Sequence, residues 1–123
     1  MKTILVVDDS PLIRKAIRRI IEPLGFVVRE AEDGHEALTY MESGAPADGI
    51  LLDVEMPVMD GISFLRTLRG RSDLAQPPVV MCTTRNSIDI ITASLQAGAN
   101  EFVMKPFDRS ILGHKLEGIG LVA

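Results

Sequence analysis

Five polar residues of this sequence are of the types that phosphoryl-transfer chemistry uses, and each stands at the end of a short apolar run. They are Asp8 and Asp9 after one run, Asp53 after a second, Thr83 after a third and Lys105 after a fourth. Carboxylates can hold a divalent cation or act as nucleophiles. A hydroxyl and an ammonium group can bind phosphoryl oxygens. If folding gathers the five residues, they would form a site in which a carboxylate could accept a phosphoryl group.

The three carboxylates indicate a hard cation. Brought close together they would repel one another unless positive charge lay among them, and Lys105 supplies only one such charge. Mg²⁺ prefers oxygen ligands and commonly uses one or two carboxylates together with phosphate oxygens. No His or Cys is predicted nearby, which argues against zinc or a redox metal. The residues therefore favour Mg²⁺ at Asp8, Asp9 and Asp53, with one aspartate as the nucleophile.

The elements that must position these residues follow from an alternation of apolar runs with segments of helical period. The predicted strands are Ile4–Val7, Phe26 to Ala31, Gly49–Asp53, Val79–Thr83 and Glu101–Met104. Asp33-Gly34 is interpreted as a break after the second strand, and Asp60-Gly61 as a loop signal. The predicted helices run from Pro11 to near Pro23, from His35 to Met41, from Ile62 onward, from Ser87 to Ala97 and from Arg109 to about Leu116. Strands this apolar predict an α/β fold with a parallel sheet covered by helices on both faces.

A parallel sheet explains why the polar residues should meet. Ligands bind beyond the carboxyl ends of its strands, and four of the five predicted strands end in a candidate residue. The second predicted strand supplies no matching group. The basic face of the first helix, Arg14, Lys15, Arg18 and Arg19, is interpreted as solvated surface rather than as a docking site.

Composition limits the function classes. A chain of 123 residues fits one domain, and its net charge of −4 argues against non-specific attraction to nucleic acid or to anionic membranes. The single cysteine, Cys82, excludes an intrachain disulfide and is interpreted as a buried small hydrophobe. The N-terminus has no secretory signal pattern and the apolar runs are too short to span a bilayer, so we expect a cytoplasmic protein.

The ordered set of motifs resembles the receiver domain of two-component response regulators, and is most similar to the CheY-like single-domain group. The resemblance covers the full chain and is carried by Ile4–Asp9, Leu52–Gly61, Thr83 and the segment Lys105-Pro106-Phe107. It implies a flavodoxin-like (βα)₅ fold with strand order 2-1-3-4-5. It also implies one receiver domain over residues 1–123, with no output domain.

The same resemblance implies a role for each site residue. Asp53 would accept the phosphoryl group, with Mg²⁺ held by Asp8, Asp9, Asp53 and the backbone carbonyl of Glu55. Thr83 and Lys105 would bind the phosphoryl group, and the Lys105–Pro106 peptide bond would be cis. Phe102 would be the switch aromatic, here Phe rather than Tyr, and Glu55 and Arg85 would tune reaction rates.

The implied function is a phosphoacceptor signalling protein rather than an enzyme acting on a small molecule. A histidine kinase would donate the phosphoryl group. The phosphorylated, monomeric chain would then bind a protein target, a flagellar motor switch in a chemotaxis-type system. A relay intermediate or phosphate sink is the alternative, and a phosphatase that uses an aspartyl phosphate is a third. Taken singly, the residues also allow plainer interpretations: Asp8 and Asp9 as turn residues, Lys105 as a surface lysine and Phe102 as core.

Overall fold

The fold is an α/β sandwich whose elements follow the predicted alternation. In the computed structural model, residues 1–84 and 87–121 are described. The strands are β1 (Thr3–Val7), β2 (Val27–Ala31), β3 (Gly49–Asp53), β4 (Val79–Thr83) and β5 (Glu101–Met104). The helices are α1 (Pro11–Ile21), α2 (Gly34–Glu42), α3 (Gly61–Arg69), α4 (Ile88–Gln96) and α5 (Arg109–Gly118), with a short 3₁₀ helix at Glu22–Leu24.

The sheet has five parallel strands in the order β2-β1-β3-β4-β5. This confirms the predicted parallel sheet and its strand order. Because successive side chains of a strand point to opposite faces, the sheet divides the interior into two cores. Leu5 and Val7 belong to the core that also holds residues of α2 and α3, whereas Ile4 and Val6 belong to the core shared with α1 and α5.

Local capping explains where the helices begin. The residue before each helix accepts a hydrogen bond from a backbone N–H in the first turn, and these caps are Ser10, Asp33, Asp60, Ser87 and Asp108. Asp33 and Asp60, which the sequence marks as loop residues, are thus also helix starts. Gly98 follows α4 at a φ of 110°, as the C-terminal glycine of a helix should.

The amphipathic pattern of α1 was predicted only in part. Ile17 and Ile21 are buried, but Leu12 is 76% exposed although its spacing places it with the apolar residues. Leu12 lies in the first turn of α1. Within the part of the chain that the structure describes, no helix is long and apolar enough to cross a membrane.

Candidate functional site

The register of the sheet brings the four candidate strand ends to one edge. Val7 pairs with Leu52, so the residues that follow them, Asp8 and Asp53, lie side by side at the ends of adjacent strands. Thr83 pairs with Met104 on the other side of the site. The backbone N–H of Lys105 donates to the carbonyl of Thr83 at 2.8 Å, which extends this pairing by one residue.

The acidic residues form a compact cluster. One carboxylate oxygen from each of Asp8, Asp9 and Asp53 lies within 4.8 Å of the others. Asp8 and Asp53 are buried, whereas Asp9 is exposed and faces solvent at the mouth of the site. Three converging oxygens that are open on one side match the way Mg²⁺ is held, by a few carboxylates with room for water and phosphate oxygens.

Lys105 completes the cluster. Its ammonium nitrogen lies 2.6 Å from Oδ2 of Asp8 and 3.2 Å from Oδ1 of Asp53. Burial disfavours the charged form of the lysine, but the hydrogen bond to Asp8 and the charge of Asp53 more than offset it, so the pKa of Lys105 is raised. The side chain therefore stays charged at neutral pH. The peptide bond between Lys105 and Pro106 is cis, as predicted.

The surroundings of Asp53 strongly perturb its ionisation. Burial raises the pKa of Asp53 to about 6, and the negative charges of Asp8 and Asp9 add to this effect while Lys105 opposes it. A buried carboxylate that is reluctant to ionise gains from a nearby divalent cation, which would favour its charged form. The donor set, all oxygen and in excess negative charge, therefore fits Mg²⁺.

The remaining predicted residues take different positions. Thr83 is buried at the end of β4, and its backbone carbonyl accepts a hydrogen bond from the backbone N–H of Lys105. Phe102 is half-buried and packs against the core on the α2–α3 side of the sheet. Glu55 is exposed, two residues beyond the end of β3. Arg85, predicted as a rate-tuning residue, lies outside the described residues.

Two contacts at the site were missed by the sequence analysis. The guanidinium of Arg14 donates to the backbone carbonyl of Asp8 at 2.6 Å and is paired with Glu30 on β2. The second strand, predicted to contribute nothing, therefore reaches the site through Arg14. No sequence signal reveals this, because the contact depends on how far a long side chain reaches between α1 and an edge strand.

The second missed contact fixes the loop beneath Asp53. A Cβ at Gly61 would overlap with the carbonyl oxygen of Asp53, so α3 can begin against this loop only with a glycine. The backbone N–H of Gly61 donates to the carbonyl of Val54 at 3.0 Å. The sequence marks Asp60-Gly61 only as a loop signal, whereas the structure shows that Gly61 also packs tightly against the backbone of Asp53.

Comparison with known proteins identifies the family of this chain. A sequence profile described as the response regulator receiver domain matches residues 4–117. The chain belongs to the response regulator receiver family. Receiver domains are phosphoacceptor signalling proteins that bind Mg²⁺ at an acidic pocket, and this chain has an acidic cluster at Asp8, Asp9 and Asp53.

Individual relatives agree with this assignment. The chain is 40% identical over 117 residues to the chemotaxis protein CheY of Pseudomonas aeruginosa, covering 94% of both chains. It is 42% identical to the response regulator MprA of Mycobacterium tuberculosis, but spans only 44% of that longer protein. Among solved structures, chemotaxis protein CheY4 of Vibrio cholerae is 34% identical with a TM-score of 0.89, covering 97% of this receiver and 98% of that chain.

Proposed function

We propose that this receiver accepts a phosphoryl group on Asp53 from a phosphohistidine of a histidine kinase and signals by binding a protein target. The observation that carries the proposal is the position of Asp53: it is buried, within 4.8 Å of two further carboxylates and 3.2 Å from the ammonium of Lys105. A nucleophile, a cation site and a fixed positive charge thus meet at one point.

In the proposed transfer, an oxygen of Asp53 attacks the phosphorus atom in line with the leaving imidazole. The new O–P bond forms as the P–N bond breaks, and the imidazole nitrogen keeps the electron pair. Mg²⁺, held by Asp8, Asp9, Asp53 and the backbone carbonyl of Glu55, would neutralise charge on the phosphoryl oxygens. Lys105 pairs with one of these oxygens and the hydroxyl of Thr83 donates a hydrogen bond to another.

The acyl phosphate on Asp53 is lost when water attacks the phosphorus atom, so the same site also limits the lifetime of the signal. We propose that Glu55 and Arg85 control access of that water. In the signalling step, Thr83 moves towards the phosphoryl group and Phe102 repacks, which shifts the population of a second conformation. The outer surface of α4 presents Ile88, 79% exposed, and Leu95, 50% exposed, to a target.

We propose a chemotaxis-type output in which the target is a flagellar motor switch protein. The support is the 40% identity to a chemotaxis CheY over nearly the whole of both chains. Capture of the motor protein on the immobilised receiver, with and without an acyl-phosphate donor, tests this output. Donor-dependent capture supports it. Exchange of phosphoryl groups with kinases and phosphotransferases, without any capture, would favour a relay or phosphate-sink role.

The proposed phosphoacceptor chemistry is tested by labelling with an acyl phosphate in the presence of Mg²⁺. The wild-type chain should gain the mass of one phosphoryl group and lose it again on standing, whereas Asp53→Asn should gain none. Chelation of Mg²⁺ should abolish labelling of the wild type. Equal labelling of the Asp53→Asn variant would refute the assignment. Steady turnover of a simple phosphate ester would instead indicate a phosphatase.

A further inference from the structure

Arg14 joins the acidic cluster to the edge strand β2. Its Nη1 donates to the backbone carbonyl oxygen of Asp8 at 2.6 Å, and its Nε donates to Oε1 of Glu30 at 2.8 Å. The side chain of Arg14 is only 15% exposed. Both hydrogen bonds are charge-assisted, and the planar guanidinium holds them in a fixed relative direction. The side chain is therefore a tether with two defined ends.

The carbonyl that Arg14 binds controls the geometry of two metal ligands. It belongs to the peptide plane that joins Asp8 to Asp9, so its direction determines how the chain leaves Asp8 and where the side chain of Asp9 points. The other polar groups of Asp8 are engaged elsewhere: its N–H donates to Ala31, Oδ1 accepts from the N–H of Ser10, and Oδ2 accepts from Lys105. Arg14 holds the group that remains.

Glu30 offsets the positive charge that Arg14 places beside the proposed Mg²⁺ site. Its carboxylate binds Arg14 through Oε1 and Arg18 through Oε2, the latter at 2.8 Å from Nη2. The hydrogen bond from Arg18, followed by that from Arg14, lowers the pKa of Glu30, so the carboxylate is ionised at neutral pH. The charge of Arg14 is thus balanced locally, and its hydrogen bond to the Asp8 carbonyl does not require excess positive charge near Mg²⁺.

We infer that Arg14, anchored by Glu30, is a positioning residue that sets the Asp8–Asp9 peptide for Mg²⁺ binding. The inference rests on the proposed magnesium site. It extends the site to residues of α1 and β2 that touch neither the ion nor the phosphoryl group. Partners that orient the ligands of a metal commonly change its affinity by about 10- to 100-fold when they are removed.

The sign of the effect separates positioning from simple charge. If Arg14 acted only through its positive charge, replacing it with a neutral residue would strengthen Mg²⁺ binding, because a like charge would be gone. If Arg14 acts by positioning, its replacement should weaken Mg²⁺ binding, since loss of the hydrogen bond frees the Asp8–Asp9 peptide to leave the geometry that binds the ion. Arg18 provides a matched control: it lies one turn further along α1 and binds the same carboxylate of Glu30, but makes no hydrogen bond to Asp8.

The test compares Arg14→Met with Arg18→Met in the full chain. Mg²⁺ affinity is measured by calorimetric titration, and acyl-phosphate labelling rates are measured over a range of Mg²⁺ concentrations. Arg14→Met should weaken Mg²⁺ binding roughly tenfold and raise the half-saturating Mg²⁺ concentration, with the maximal labelling rate kept. Arg18→Met should leave Mg²⁺ affinity unchanged or slightly stronger. Arg14→Lys, whose single ammonium group cannot hold both ends of the tether, should bind Mg²⁺ with intermediate affinity.

Unfolding in EDTA, followed by circular dichroism, provides the metal-free readout. The two methionine variants should lose similar stability, because each gives up an ion pair with Glu30 and further hydrogen bonds. For Arg14 this is the bond to the carbonyl of Asp8, and for Arg18 the bonds to Glu22 and to the carbonyl of Val28. Unchanged or stronger Mg²⁺ binding by Arg14→Met, or equal weakening in both variants, would overturn the inference. Absence of Mg²⁺ binding by the wild type would refute the proposed site itself, so the two failures are distinguishable. If Arg14→Met does not fold, Arg14→Lys against Arg18→Lys decides by the same comparison.

Discussion

The ammonium group of Lys105 donates a 2.6 Å hydrogen bond to Oδ2 of Asp8, a predicted metal ligand. Its distance to Asp53, the proposed phosphoacceptor, is longer at 3.2 Å. Lys105 therefore serves as a counter-charge within the acidic cluster. Binding of Mg²⁺ at Asp8 would compete with this contact and leave the lysine free to pair with an incoming phosphoryl group.

This competition predicts that Lys105→Met strengthens Mg²⁺ binding. Removal of a like charge from the site should raise the affinity by about 3- to 10-fold, equivalent to roughly 1 kcal/mol. The phosphorylation rate should fall at the same time, because the phosphoryl oxygens lose a partner. Calorimetric titration with Mg²⁺ measures the first effect and acyl-phosphate labelling the second. Lys115→Met is the matched control, since Lys115 pairs with Glu101 away from the cluster. Weaker Mg²⁺ binding by Lys105→Met would contradict the competition.

The raised pKa of Asp53 predicts a pH-dependent loss of stability in the metal-free protein. The folded state binds a proton at Asp53 with a pKa of about 6, against an ordinary pKa of 3.8 for an aspartate side chain. At this residue the folded state thus holds more of a proton than the unfolded state between pH 4 and 6, and the contribution of Asp53 to stability falls as the pH rises through that window. Above pH 6, the contribution of Asp53 to the free energy of unfolding should be about 2–3 kcal/mol less favourable than it is below pH 4.

Asp53→Asn should therefore stabilise the fold in EDTA at pH 7.5 and have little effect near pH 4. Urea unfolding at the two pH values measures the difference. Asp73→Asn is a useful control, because its hydrogen bond to Arg71 lowers the pKa of Asp73 and the replacement should give no such gain. Saturating Mg²⁺ should narrow or reverse the advantage of Asp53→Asn, since the ion stabilises the wild type by binding it. Equal stability of wild type and variant at pH 7.5 in EDTA would show that burial of the ionised Asp53 side chain does not destabilise the fold.

Most of the fold was predictable from the sequence because its determinants are local. Each strand is a short apolar run, and the residues that end a strand are also the candidates for chemistry. Parallel pairing then brings those ends together without further information. The positions of Asp8, Asp53 and Lys105 relative to one another follow from this register alone, which is why the core of the site could be predicted.

The features that sequence did not reveal depend on contacts between distant elements. The reach of Arg14 from α1 to both Asp8 and Glu30 needs the relative position of three elements. Leu12 has the spacing of a buried residue yet is 76% exposed, because spacing alone does not show which positions of a helix other elements cover. Val58 adopts a φ of 69°, a conformation that β-branched residues rarely take, and nothing in its local sequence requires it.

Two glycine-to-alanine changes should have opposite effects on stability, because Gly61 packs against the backbone of Asp53 whereas Gly113 has open space around it. Gly61→Ala should lower the free energy of unfolding by roughly 1–3 kcal/mol, because the new Cβ overlaps with the carbonyl of Asp53 and the loop must shift. Gly113 lies inside α5, and a methyl group added there would meet open space. Gly113→Ala should therefore raise the free energy of unfolding by about 1 kcal/mol, because alanine favours the helix more than glycine does. Urea unfolding measures both changes.

The Gly61→Ala variant should also bind Mg²⁺ more weakly, because displacement of the Asp53 backbone moves a ligand. Gly113→Ala should bind Mg²⁺ as the wild type does. A Gly61→Ala variant that kept wild-type stability and Mg²⁺ affinity would show that the loop can accept a side chain, and would remove the reason for a glycine at the start of α3.

Burial of Cys82 predicts a thiol that reports on global unfolding. The side chain is 2% exposed, and burial raises its pKa to about 12, so almost no thiolate exists at neutral pH. An aromatic disulfide reagent should label the native protein only as fast as the chain unfolds, and labelling should be complete at once in guanidinium. Ser110→Cys in a Cys82→Ala background is the control, because Ser110 is exposed on α5 and its thiol should react immediately. If Cys82 reacted at the rate of that control, the β4 core would have to open locally without unfolding of the whole domain.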